Sequence, residues 1–161
     1  MKVQAQQTGL YVLLLAASAV IFLIALGPGF WGNEGAGLLS WQHQVFNLLC
    51  HQDPTRSFFI KDVPMAVCSR CIGIYGMFLL GVISMPLIPK ILPVRNRRFL
   101  QLMIVVIVLN VLDVFGNLLG IWTNTLLSRF LLGSLFGGSI AFYLTNEFFN
   151  INKYTEIQDG E

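Results

Sequence analysis

Apolar residues dominate four stretches of the chain, and polar residues gather between them. Gly9 to Gly27 runs GLYVLLLAASAVIFLIALG without a charge. At about 1.5 Å per residue, a helix of that length crosses a hydrocarbon core of about 30 Å. A second apolar stretch, Ile72 to Leu92, is predicted to span as well, with Pro86 and Pro89 kinking or ending it. The third runs from Phe99 to Ile121 and the fourth from Leu126 to about residue 148. Between the first two lies a loop, 28–71. Its Pro28–Ala36 part (PGFWGNEGA) is irregular by its Gly and Pro content. Its Gly37–Cys50 part repeats apolar residues as a short amphipathic helix does, lying on the membrane or capping the bundle. Asp53 to Pro64 holds two prolines and four charges, so it reads as a structured loop. Pro93–Arg98 (PVRNRR) is a tight basic turn, and 150–161 is a polar tail expected to fray.

The expected fold class is therefore an all-α membrane protein in one domain, 1–161. It has four transmembrane helices (9–27, 72–92, 99–121, 126–148), a short amphipathic helix and a Cys/His-bearing extracytoplasmic loop. The rival reading of the first stretch is a signal peptide cleaved at Ala25-Leu26-Gly27. Its apolar run exceeds the usual ~7–15 residues of such a segment, and no polar spacer precedes the site, so a retained helix is expected.

Composition strengthens the membrane reading. The chain is 55% hydrophobic and 11% charged, against about 25% charged in soluble domains. A net charge of +2 is too small to argue for nucleic acid. The bilayer is the expected partner, and so few helices make a homo-oligomer a second candidate. Cations matter by position. With four spans, Lys2, Lys90, Arg95, Arg97, Arg98 and Lys153 share one side, against Arg56, Lys61 and Arg70 on the other. Excess Lys and Arg mark the cytoplasmic side. Both termini are then cytoplasmic in a multi-pass protein of the cell membrane, and Cys50–Cys71 lies outside.

That outer segment, CHQDPTRSFFIKDVPMAVCSRC, holds all three cysteines. Cys68-Ser-Arg-Cys71 is a C-x-x-C, which lets two thiolates grip a metal or two thiols close a disulfide. Cys50 and His51 would complete a zinc set of three Cys and one His. His43, seven residues before Cys50, competes with His51 for the fourth place. The plain alternative is three cysteines packed as small apolar groups.

Asp113 is costly inside a span and needs a partner. Asn110, Asp113, Gly116, Asn117 and Gly120 share one helical face, which points into a bundle rather than at lipid. Arg129, near the start of the fourth span, is its expected partner. The pair either fixes helix register or forms a substrate or proton site, with Asn117 and Asn124 beside Asp113 and Arg129 as candidate catalytic groups. Arg56, Arg70 and Arg129 suit an anion through the guanidinium fork, or else snorkel to lipid phosphates. Gln52 joins Arg56 and Arg70 as an anion- or substrate-binding candidate. Gly73, Gly76, Gly133 and Gly137 are read as sites of close helix approach.

These residues carry a resemblance. Cys50-His51-Gln52, Pro54, Arg56-Ser57-Phe58, then Val67-Cys68, Arg70-Cys71, Gly73 and Tyr75 resemble a family of small prokaryotic membrane proteins known only as a conserved domain of unknown function. Asp113, Gly116, Thr123-Asn124, Arg129, Gly133 and Gly137 resemble its later signature. Val114 stands where that family usually has Gly, and Leu132 where it often has Thr. The match covers about residues 45 to 140. It implies a multi-span protein with a Cys/His cluster and brings no activity with it.

Three functions fit. The first is a zinc–thiolate centre at the outer face, capping a polar pocket for an anionic lipid or small anion. It is structural with four protein ligands, or hydrolytic if one position stays open. The second is a quinone-linked thiol–disulfide oxidoreductase using Cys68 and Cys71. It lacks the second cysteine pair through which such enzymes shuttle. The third is a small ion or metabolite transporter. Whether the protein is an enzyme is left open by the residues.

Overall fold

The computed structural model describes residues 2–32, 40–86 and 96–158, with side chains at 8–32, 40–86 and 100–144. The protein is mostly helical. The long helices are α1 (Lys2–Ala25), α3 (Ser69–Ser84), α4 (Asn96–Leu118) and α5 (Leu126–Gln158); α2 (Trp41–Phe46) is short. Three helices, α1, α4 and α5, are long and apolar enough to cross a membrane. At 16 residues α3 is shorter. The remainder of the predicted second span, with Pro89 and the first part of PVRNRR, lies outside the described residues.

Two boundaries differ from the hydropathy reading. The fourth helix does not stop near 148 but continues to Gln158, so the polar tail is helical for most of its length. Nothing between Asn150 and Gln158 is Gly or Pro, and backbone propensity carries the helix past the end of its apolar run. At its other end Thr125 caps α5, its Oγ1 accepting from Ser128 N at 3.1 Å. The third helix ends at Leu118, three residues early. Gly120 takes φ +70°, and Ile121 N donates to Gly116 O at 2.9 Å, while Gly120 N donates to Asn117 O at 3.3 Å. This is a Schellman closure, and it turns the chain sharply toward α5.

The helices form an open arc rather than a closed bundle. α1 packs on α3, α3 packs most extensively along α5, and α5 carries α4 on its other side; α3 and α4 scarcely touch. Small residues set the central contact. A Cβ at Gly133 would collide with the Arg70 carbonyl, and one at Gly137 with the Ile74 carbonyl. Gly73 reciprocates against the Phe130 carbonyl. Backbone thus meets backbone along α3 and α5, as the glycine spacing predicts. Gly76 instead meets the Phe22 ring of α1.

One end of the arc is closed by the loop. Phe46, Cys50, Ala66, Val67 and Ile72 bury together with Ala25 at the end of α1. Ala25 is fully buried, and Gly27 (φ +79°) brings the chain against the Met65–Ala66 backbone. The end of α1 is thereby built into the core. The segment expected as a structured loop holds a 3-10 turn, Pro54–Arg56, and a two-residue ladder pairing β1 (Phe59–Ile60) with β2 (Val63–Pro64). Phe58 docks edge-on against Phe130 of α5, with ring centroids 5.8 Å apart. Trp31 and Trp41 remain more than half exposed, and Leu48 almost wholly so.

Candidate functional site

The site begins where α3 begins. Cys68 is the residue that caps this helix, in extended backbone geometry, and Cys71 lies one turn later. That C-x-x-C spacing brings their sulphurs to 3.5 Å. Cys50 arrives from beyond α2, and its Sγ accepts a hydrogen bond from Cys68 N at 3.2 Å. All three are free thiols, and their sulphurs lie within 4.8 Å of one another. A disulfide needs about 2.05 Å. Thiolates at about 2.3 Å around a tetrahedral ion stand about 3.8 Å apart. The Cys68–Cys71 gap matches the second arrangement, so the three sulphurs could hold a metal ion. Hydrogen bonds from Cys50 and then Cys71 push the Cys68 thiol far below its ordinary range, while the contact with Cys68 pushes Cys50 up. Cys68 also stands at the positive end of the α3 dipole.

The loop geometry that presents Cys50 depends on Gln52. This residue sits at φ +51°, and its Nε2 donates to His43 O at 2.6 Å and to Ala66 O at 3.0 Å. Both amide hydrogens are thus committed to backbone, and Gln52 does not line the cavity. The structure gives it a positioning role in place of the expected anion or substrate contact. Gln52→Ala is expected to lower stability by roughly 1–3 kcal/mol, two hydrogen bonds at about 1 kcal/mol each. The loss should appear as a lower unfolding temperature of the detergent-solubilised protein. No change would mean that the loop is held without it.

The two histidines separate clearly. His43 is 2% exposed, with Nδ1 2.7 Å from Ser40 Oγ, and it stands apart from the thiol group. Burial pushes its imidazole below the usual value, as for a neutral core histidine. His51 is exposed and lines the cavity beside the thiols, although its ring lies outside the group of three sulphurs.

That cavity measures about 300 Å³. Cys50, Cys68 and Cys71 border it together with His51, Arg56, Arg70, Asn117, Asn124 and Arg129. Residues from the loop, α3, α4 and α5 thus converge at one end of the arc, as the sequence predicts. Asp53, Leu49 and Val114 also line it, and these the sequence reading missed. Asp53 looks like an ordinary turn residue. Its carboxylate accepts from Thr55 N and Thr55 Oγ1 and pairs with Arg56 Nε at 3.2 Å. The Thr55 hydrogen bonds hold it below the usual carboxylate range.

The pairing of Asp113 differs from expectation. Its Oδ2 takes Arg70 of α3, not Arg129, and also accepts from Asn124 Nδ2 at 2.7 Å. Asn117 Oδ1 accepts from Asn124 N at 3.2 Å, which fixes the turn that delivers Asn124. Hydropathy and spacing carry no information about which cation reaches Asp113; Arg70 does so across the gap between α3 and α4, although α5, which carries Arg129, is the helix packed on α4. Arg129 is left facing the cavity, its Nε buried without a hydrogen-bond partner among the described residues. Three guanidinium groups thus border one cavity, with Asp53 and Asp113 each engaged by one of them. An anion is the ligand such a surface suits.

Comparison with known proteins places the chain among predicted membrane proteins. A family model described as "Predicted membrane protein (DUF2085)" matches residues 50–143, from the first cysteine of the site into α5. An uncharacterized protein of Methanocaldococcus jannaschii is 32% identical over 151 residues, covering 88% of this chain and 94% of its own. An uncharacterized protein of Methanothermobacter thermautotrophicus is 32% identical over 89 residues, 55% of this chain and 77% of its own. No solved structure matches.

Proposed function

The chain belongs to this family of predicted membrane proteins, and from that premise we propose that it carries a zinc–thiolate centre that walls an anion-binding cavity at the outer face of the cell membrane. α3 crosses the membrane as a fourth span, so that both termini are cytoplasmic. Cys50, Cys68 and Cys71 are the thiolate ligands, and His51, already at the cavity wall, is the fourth. The ion staples the loop onto α3, because none of these ligands is packed by a long helix alone. Arg56 and Arg129 grip a phosphate-like or carboxylate-like group, with Asn117 at its rim. Asp113 holds Arg70 and Asn124 in place for the same group.

The observation that carries this reading is that three thiols within 4.8 Å and three arginines border the same cavity. Metal content of the purified, reduced full-length protein tests it. About one zinc per chain is expected, falling about tenfold or more in Cys68→Ser and Cys71→Ser, since each thiolate supplies a large share of a binding free energy of roughly 10–16 kcal/mol. Inorganic phosphate should bind the wild type and bind Arg129→Gln at least about tenfold more weakly. A metal-free reduced protein, or a Cys68–Cys71 disulfide that forms on addition of quinone with one quinol released per bond, would overturn it. The second outcome would favour a thiol–disulfide oxidoreductase, for which the proximity of Cys68 and Cys71 at a helix start is the supporting observation.

A further inference from the structure

The cavity does not end at the arginines. A second hollow of about 330 Å³ adjoins it, lined by Ile74 of α3, Ile107, Asn110, Val111 and Phe115 of α4, and Phe136 of α5; the Asn110 amide is spent on the Val106 and Leu132 carbonyls, so the walls are otherwise apolar. Arg70 and Val114 border both spaces, so a polar chamber passes into an apolar groove at the Arg70–Asp113 pair. The groove exists because α3 and α4 scarcely touch and α5 forms its floor. From Val114 down to Ile107 it follows α4 for seven residues, about 10 Å along the helix and roughly a third of a hydrocarbon core. The larger hydrophobic residues around it on α4, among them Leu112, Val111 and Phe115, are about half exposed.

We infer that the ligand is a membrane lipid with a phosphate headgroup, its head among Arg56, Arg70 and Arg129 and one hydrocarbon chain in the groove between α3 and α4. This rests on the anion reading above and adds the ligand's class and its route. A soluble anion is satisfied by the chamber alone and gains nothing from an apolar extension. An amphiphile matches both halves: the cationic end binds the phosphate, and the apolar walls replace lipid around the chain at no hydration cost. Val111, Leu112 and Phe115 flank the groove on α4, a helix long and apolar enough to span, and are about half exposed, so bilayer lipid stands beside the groove and a headgroup reaches the arginines along it.

Native mass spectrometry of the full-length protein in detergent tests this at matched concentrations of dioleoyl phosphatidic acid, dibutyryl phosphatidic acid, inorganic phosphate and dioleoyl phosphatidylcholine. The dioleoyl acid is expected to bind about tenfold or more tightly than each of the other three. Val111→Trp, which fills the groove, should reduce it to the level of the dibutyryl acid, leaving phosphate binding and metal content unchanged. Equal binding of all phosphate probes would overturn the lipid inference and leave the anion site standing. Equal binding of the two dioleoyl lipids would overturn it too, because the three arginines would then not select an uncovered, net anionic phosphate over one neutralised by choline. A dimer that excludes the dioleoyl acid would assign the groove to a second copy of the chain. Failure of every phosphate probe would remove the anion reading itself. The chain-length comparison on wild type decides the matter even if Val111→Trp does not fold.

Discussion

Gly133→Leu is expected to abolish phosphate binding while leaving the metal in place. The Cβ of any residue at 133 would collide with the Arg70 carbonyl, with its Cα and C also inside 3.4 Å. Backbone cannot swing aside as a side chain does, so α3 and α5 must separate. Overpacking of this kind costs about 1–3 kcal/mol and sometimes more. Here the upper end is expected, about 3 kcal/mol, because two helix backbones are in contact. The functional consequence follows from which element carries which group. Cys50, Cys68 and Cys71 all sit on the loop and the start of α3, so they shift as one group when α3 separates from α5. Arg129 sits on α5, and its distance from Arg56 and Arg70 depends on α5. Zinc stoichiometry near the wild-type value with phosphate affinity reduced at least about tenfold is the expected pair of results. Gly133→Ala should show the same pattern more weakly. Wild-type unfolding temperature and affinity in Gly133→Leu would mean that α3 and α5 do not meet at this position.

The second large effect is expected at Asp113. Asp113→Ala removes the acceptor shared by Arg70 and Asn124, and Arg70 Nε is already buried without a partner. Removing one member of a buried ion pair costs about 3–5 kcal/mol. The Arg70 and Asp113 side chains are 22% and 13% exposed, so water in the cavity trims this to roughly 2–4 kcal/mol. Asp113→Asn keeps an acceptor and loses the charge, and about half that cost is expected. The two readouts should then move in opposite directions. Stability falls, measured by thermal unfolding in detergent, while phosphate binds Asp113→Asn severalfold more tightly because the Arg70 charge is no longer neutralised. If the affinity falls along with the stability, Asp113 serves mainly to orient Arg70.

Much of the candidate site was legible before any geometry. Asp113 and Arg129 stand out because ionisable groups in apolar helices are costly. The C-x-x-C stands out because its spacing brings two sulphurs to one end of a helix. Charge bias and helix lengths then brought Asn117, Asn124 and the cysteines to one end of the protein, and the cavity contains them all. Less legible were the roles. Gln52 looked like a ligand-binding residue because it sits in a run of unusual polar residues, yet its amide is committed to the His43 and Ala66 carbonyls. His43 shares a helical face with Cys50, yet that face turns into the core. Asp53 carries no signal that distinguishes it from a turn residue. In each case the deciding contact is long-range, and local pattern does not encode it.

The apolar stretches by themselves determined that this is a helical membrane protein, because a run of uncharged residues has one low-energy solution in hydrocarbon: a helix that satisfies its own backbone. The glycines at 73, 133 and 137 determined that two helix backbones would touch, because only a missing Cβ permits it. What the sequence left undetermined was neighbour order. α1, α3, α5 and α4 stand in an open arc, which opens an apolar groove between α3 and α4; across that gap Arg70 takes Asp113, and Arg129 is left facing the cavity. Hydrophobicity is non-directional, so it commits a helix to the membrane without choosing which face meets which partner. That choice is made by steric fit between particular helices, which exists only once they are packed.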